Sequence, residues 1–156
     1  MMEDQTKQLS HVDTAGNARM VDVGSKPVQK RTASASGLIR MEAHTVAAIR
    51  EDRVKKGNVL AVARIAGIQA AKATSGLIPL CHQLPLDSVQ IEFTLGEEGV
   101  KVTCTVSCQA RTGVEMEALT GTSLALLTIY DMCKAIDKSM SLEQVRLLHK
   151  RKEDPA

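Results

Sequence analysis

At 156 residues the chain suits one domain, long enough to bury a core without disulfide or metal staples. Its 44% hydrophobic and 24% charged residues are an ordinary globular balance, and a net charge of +2 gives no global attraction to nucleic acid or membrane. One Phe, one Tyr and no Trp exclude recognition of bases by stacking on aromatic platforms.

Residues 1–26 are polar apart from Met20-Val21-Asp22-Val23, and a flexible N-terminal arm is expected there. A single domain is expected over 27–150 and a frayed tail over 151–156. No apolar run reaches the ~18 residues that a membrane span needs. The four cysteines, Cys81, Cys104, Cys108 and Cys133, form no C-x-x-C pair and follow no secretory signal. Reduced thiols and a cytoplasmic location are therefore expected.

The pattern predicts a strand over 32–41, closing on Leu38-Ile39-Arg40-Met41, and a short helix over 42–51. Lys55-Lys56-Gly57-Asn58 breaks the chain, and Asn58 is placed to cap the next helix. Residues 59–73 are apolar almost all round, which predicts that this helix is buried. Gly76, Pro79 and Pro85 make 74–85 a loop with a short extended piece.

Val89, Ile91, Phe93 and Leu95 alternate with polar residues, and so do Val100, Val102, Cys104, Val106 and Cys108. These are two strands, each with one buried face, joined by the hairpin loop Gly96-Glu97-Glu98-Gly99. A long helix is predicted over 114–136 and a last strand over 144–149. Without the short first helix the order is βαββαβ, which predicts an α+β fold: a ferredoxin-like antiparallel sheet with helices on one face.

No phosphate-loop or dinucleotide fingerprint is present, so a phosphorylated ligand must be held by side-chain cations and helix N-termini. No metal site is expected, because Cys104 and Cys108 fall on an apolar strand face and Cys81-His82 are adjacent, a poor spacing for chelation. His82 follows a Pro turn on a loop, where functional side chains concentrate. Glu115 and Glu117 stand in the first turn of the long helix, where acids complement its dipole. Asp131 and Lys134 are three apart near its end. As a surface pair they contribute little. Their apolar neighbours, Ile129, Met132 and Cys133, instead suggest partial burial and shifted pKa values suited to proton transfer.

Gly113-Val114-Glu115-Met116-Glu117-Ala118-Leu119-Thr120 and Leu127-Thr128-Ile129-Tyr130-Asp131-Met132-Cys133-Lys134-Ala135 resemble the MoaC family, the cyclic pyranopterin monophosphate synthases of molybdenum-cofactor biosynthesis. The resemblance extends to His11-Val12-Asp13, Met20–Val23, Lys56-Gly57-Asn58-Val59, Ala63–Lys72 and Leu77-Ile78-Pro79-Leu80-Cys81-His82. It implies a lyase that takes a cyclised dihydro-GTP, supplied by an upstream radical enzyme, and releases pyrophosphate. In that case 27–150 is the catalytic domain. Asp131 matches the family's catalytic acid/base, and Lys134 and Lys56 its catalytic lysines. Leu80, Cys81, His82, Glu115 and Met116 match substrate-binding segments. Lys72 and Arg31 match cationic positions assigned to the triphosphate.

No cofactor is evident, although a divalent cation accompanying the phosphates is compatible with this chemistry. Ala73, where many relatives carry a basic residue, and Gln83, where proline is common, depart from the pattern. A regulatory module without catalysis is the alternative, and it is opposed by the presence of Asp131, Lys134, Lys56 and His82 together.

Glu115 and Asp131 are sixteen residues apart, roughly 24 Å along a helix, and point to nearly opposite sides. A single nucleotide-sized ligand cannot touch both within one chain. A homo-oligomer with active sites at a subunit interface is therefore expected. The family's usual form is a hexamer built as a trimer of dimers.

Overall fold

Alternation builds the sheet. In the computed structural model, which describes residues 10–155, the two alternating runs form β2 (Ser88–Leu95) and β3 (Gly99–Ala110). Residues 1–9 of the arm expected over 1–26 lie outside the described residues. Val100, Val102, Cys104, Val106 and Cys108 of β3 are all buried, while Lys101, Thr103, Thr105 and Ser107 face the other side. β1 (Gln29–Arg40) pairs with β3 on one side and with β4 (Ser141–Glu153) on the other. The sheet is antiparallel throughout, in the order β2-β3-β1-β4.

The helices are α1 (Ala43–Arg50), α2 (Val59–Lys72), the single turn α3 (Thr74–Leu77) and α4 (Glu115–Cys133). Without α1 and α3 the order is βαββαβ, an α+β fold as the pattern implied. α2 and α4 pack on each other and on the sheet, and Leu126 and Ile129 of α4 are fully buried with Ile39 and the β3 valines. Thr122 ties helix to sheet through its hydroxyl, which donates to the Ala118 carbonyl at 2.9 Å and lies 3.3 Å from that of Ala35. No helix among the described residues is long and apolar enough to cross a membrane.

Three expectations are corrected. Residues 74–85 are not loop throughout: the Thr74 hydroxyl donates to the Ala70 and Ala71 carbonyls at the end of α2, and the chain makes one more helical turn, α3. α2 is not buried all round: Val62 and Ile65 are 43% and 60% exposed, because α4 and β2 pack mainly against its inner side and leave the outer side bare. The last strand is more than twice as long as expected, 13 residues from Ser141 to Glu153. Arg151, Lys152 and Glu153, assigned to the tail, pair with Thr32, Arg31 and Lys30. Register shifts in β4 opposite Ser34–Leu38 break its alternation, which hid its extent.

Asp137, just past α4, fastens this helix to α1. Its carboxylate accepts from the Glu42 backbone N–H and the Thr45 hydroxyl, both at 2.9 Å, and from Ser139 at 2.7 Å. Burial alone would raise its pKa, but these donors outweigh burial and bring it down to about 2. A depressed carboxylate stabilises the fold above its unfolded pKa and loses that contribution as pH falls toward the folded value. We expect roughly 2–3 kcal/mol to disappear between about pH 4 and pH 2. Urea midpoints measured across that window should fall steeply in the wild type and more gently in Asp137→Asn, and parallel curves would exclude this role.

Candidate active site

All of the family-matched residues but Lys72 gather at the two ends of α4. At its C-terminal end stand Lys56, Asp131 and Lys134. Lys134 Nζ donates to Asp131 Oδ1 at 2.7 Å. Lys56 Nζ donates to the Asp131 main-chain carbonyl at 2.8 Å and lies 3.3 Å from Oδ2.

Local structure fixes each partner. Gly57, at φ +114°, permits the tight turn that presents Lys56. Asn58 then caps α2 by accepting from the Ala61 N–H at 2.8 Å. Lys134 is the C-cap residue of α4, where a cation also meets the negative end of the helix dipole.

The pair is not buried, contrary to expectation. The Asp131 and Lys134 side chains are 58% and 56% exposed. Ile129, Met132 and Cys133 turn inward, and the helical period carries Asp131 and Lys134 to the opposite side. The shifts therefore come from pairing rather than burial. Hydrogen bonds from Lys134 and then Lys56 hold the Asp131 carboxyl below the usual aspartate range, and Asp131 holds Lys134 above the usual lysine value. At neutral pH the cluster is one carboxylate gripped by two ammoniums, a charged acid and base in contact.

At the N-terminal end of α4 lies a cleft of about 340 Å³. Leu80, Cys81, His82, Glu115 and Met116 all line it, so the structure brings these five together. His82 Nε2 donates to the Val21 carbonyl at 2.6 Å, which fixes the ring. His11, Val21, Val23 and Lys26 of the arm form the facing wall.

Glu117 also lines this cleft and is 5% exposed. Burial, reinforced by Glu115, pushes its pKa up, with His82 opposing. Reading Glu117 as a dipole-complementing acid missed this, because only the folded chain brings Leu80, Cys81, His82 and Leu84 into one cleft with it. Burial and then Glu117 also raise the Cys81 thiol.

Arg31 lines a second cleft, of about 310 Å³, together with Glu115, Lys150, Arg151 and Lys152. Gly113 and Glu115 are common to both clefts. The β4 cations were not legible as site residues, because only strand pairing sets them beside Arg31. Lys72 stands apart, in a third cleft beside Ile68, Leu86 and Asp87. Gln83 is exposed, and Ala73 links α2 to α3. Among the described residues no three His, Cys, Asp or Glu side chains converge in a way that would hold a metal ion.

The family model described as MoaC family matches residues 20–153. A cyclic pyranopterin monophosphate synthase of Novosphingobium aromaticivorans is 57% identical over 143 residues, 92% of this chain and 91% of that protein. One from Chloroflexus aurantiacus is 53% identical over 152 residues, 96% of this chain and 93% of that protein. A molybdenum cofactor biosynthesis bifunctional protein of Chlorobaculum tepidum is 54% identical over 143 residues, 92% of this chain but 46% of that longer protein. With a match over nearly its whole length and relatives above half identity, the chain belongs to the MoaC family.

Proposed function

We propose that this chain, an enzyme of the MoaC family, forms cyclic pyranopterin monophosphate from a cyclised dihydro-GTP and releases pyrophosphate. The observation that carries the reading is the Lys56–Asp131–Lys134 cluster, a carboxylate and two ammoniums in mutual contact on open surface. Rearranging a purine-derived ring and closing a cyclic phosphate require protons to be moved on and off nitrogen and oxygen. In the resting pair Asp131 is ready to accept a proton and Lys134 to give one. Leu80, Cys81, His82, Glu115 and Met116 bind the heterocycle. A divalent cation, in this reading, arrives on the phosphate oxygens. The substrate's cyclised ribose–purine bond places a radical enzyme immediately upstream, and all of this chemistry belongs in the cytoplasm. An assay supplying the cyclised dihydro-GTP and detecting both cyclic pyranopterin monophosphate and pyrophosphate tests the reading, and absence of either product refutes it.

The active site belongs to two chains. The proton-transfer cluster and the cleft lie at opposite ends of the 19-residue α4, too far apart for one nucleotide. Apolar surface supports assembly: Val62, Ile65 and Leu127 on the helices and Leu142, Val145, Leu147 and Leu148 on the outer strand β4 are all exposed. The form proposed is a hexamer, a trimer of dimers. Mixing His82→Ala with Asp131→Asn subunits, each inactive alone, should restore about a quarter of the wild-type sites after random reassembly. A mixture as inactive as its components would show that each site lies within one subunit.

A further inference from the structure

Two carboxylates are buried among the described residues, Glu117 and Asp137. Glu117 lines the His82 cleft, whereas Asp137 lies outside both clefts at the start of α4. A buried charge is costly unless directional bonds hold it, and those bonds fix whatever they join. Asp137 joins two elements. Helix α1 has no cap of its own: its N-cap residue Glu42 makes no side-chain capping bond, and its first turn carries no acid. Asp137 supplies both from 95 residues away, accepting from the Glu42 N–H and the Thr45 hydroxyl and setting a negative charge at the positive end of the helix. His44 Nε2, on the same turn, lies 3.2 Å from the Ile136 carbonyl.

On its other side Asp137 is fixed to α4. Its own N–H and that of Ile136 donate to the Cys133 carbonyl at 3.1 and 3.0 Å, and the Lys134 N–H donates to that of Tyr130 at 2.9 Å. Asp137 and Lys134 therefore move with one helix. The path from Thr45 to Lys56 is short and pinned as well. α1 ends at Arg50, the Arg53 N–H donates to the Ala48 carbonyl at 2.9 Å, Val54 is buried, and the Gly57 N–H donates to the Val54 carbonyl at 3.0 Å. Lys56 rides on the far end of α1. The apolar packing of Val46, Ala48 and Ile49 holds α1 to the core without direction, and the bonds to Asp137 set where it lies along α4.

We propose that Asp137 is a positioning residue for the proton-transfer cluster: by fastening the start of α1 to the end of α4, it brings the Lys56 turn to the place from which Lys56 reaches Asp131. The proposal rests on the proposed function and deepens it. Lys134 and Asp131 are three apart on one helix and stay together without help. Lys56 comes from 75 residues away, and its bonds to Asp131 are on open surface, where they cannot hold α1 by themselves.

The crystal structure of Asp137→Asn tests this without turnover. α4 and the Lys134–Asp131 bond should be retained, and Lys56 Nζ should stand beyond hydrogen-bond distance of the Asp131 carbonyl. In kinetics with the cyclised dihydro-GTP, kcat should fall about a hundredfold while KM changes less than about twofold, because the His82 cleft is at the other end of α4. The acid limb of kcat/KM should move up toward the ordinary aspartate value, since Asp131 has lost one of its two cations. Thr45→Val and Thr45→Ser carry the test if Asp137→Asn does not fold. Val keeps the shape and loses the donor, and kcat should drop about tenfold. Ser keeps the hydroxyl and leaves a small cavity, and should recover most of that loss. A role in packing alone predicts the reverse order. The proposal is overturned if Lys56 keeps its contacts with Asp131 in Asp137→Asn, or if Thr45→Ser is impaired as much as Thr45→Val or more. Should the variant structure show Lys56 displaced while wild type makes no product, the positioning stands and the proposed reaction falls.

Discussion

Asp131→Asn should reduce product formation by about a thousandfold or more while leaving fold and assembly intact. The substitution is nearly isosteric, and the side chain it alters is more than half exposed. The melting temperature should therefore stay at the wild-type value, since exposed ion pairs contribute little. What disappears is the basic oxygen and the anchor of two ammoniums. Lys134 owes its raised pKa first to its hydrogen bond with Asp131 and then to the charge beside it. Without that partner its pKa should fall back toward the ordinary lysine value, and acylation of Lys134 at mildly alkaline pH should accelerate. For the wild type, the acid limb of kcat/KM should lie below the usual aspartate range and the alkaline limb above the usual lysine range, because the pairing moves the two groups apart. Wild-type turnover in Asp131→Asn, or an unchanged Lys134 reactivity, would remove the pair from the chemistry.

What was legible in the sequence was whatever depends on local periodicity. β2 and β3 alternate strictly because one side of each meets α2 or α4 and the other does not. α4, expected over 114–136, starts one residue later and ends three residues earlier, at Cys133. Periodicity also held the correction for Asp131, since a rotation of 100° per residue separates it from Met132 and Cys133, yet counting apolar neighbours along the chain ignored it. Other features had no local signal. Lys150-Arg151-Lys152-Glu153 has no apolar alternation and is strand only because β1 extends to meet it. Glu117 looks like any acid in a first turn, and only the fold buries it. The apolar outer side of α2 read as core because apolar composition does not say what covers it, another element of the same chain or a second subunit.

Gly67→Val should destabilise the chain by about 3 kcal/mol, lowering the melting temperature by roughly 10 °C. The helices α2 and α4 cross where two glycines face each other. A Cβ on Gly67 would lie 2.9 Å from the Gly121 carbonyl oxygen and 3.2 Å from the Ala125 Cβ, and would run into the Ile91 side chain. Ile91 can turn its end away, but the Gly121 oxygen is backbone inside a helix and cannot. From the other side, a Cβ on Gly121 would come within 2.7 Å of the buried Cys104 sulfur and 3.1 Å of the Gly67 carbonyl oxygen. Spreading the helices relieves the clash only by lifting α4 off β3, which opens space above Val102, Cys104 and Val106. Gly67→Ala meets the same backbone oxygen, but regains up to about 1 kcal/mol of helix propensity, so its net loss should be smaller, roughly 1–2 kcal/mol. Gly76→Ala, where a Cβ meets nothing within 4 Å, is the internal control and should be neutral or slightly stabilising. Thermal melts of the three variants read the ordering directly, and Gly67→Val melting with Gly76→Ala would mean that the crossing is not the close-packed joint that the backbone distances describe. The crossing also has a consequence for catalysis. It sets how α4 lies on the sheet, and therefore where its two ends, the cleft at Glu115 and the ion cluster at Asp131, stand relative to any neighbouring subunit. Gly67→Ala should for that reason lose more activity than its modest loss of stability explains.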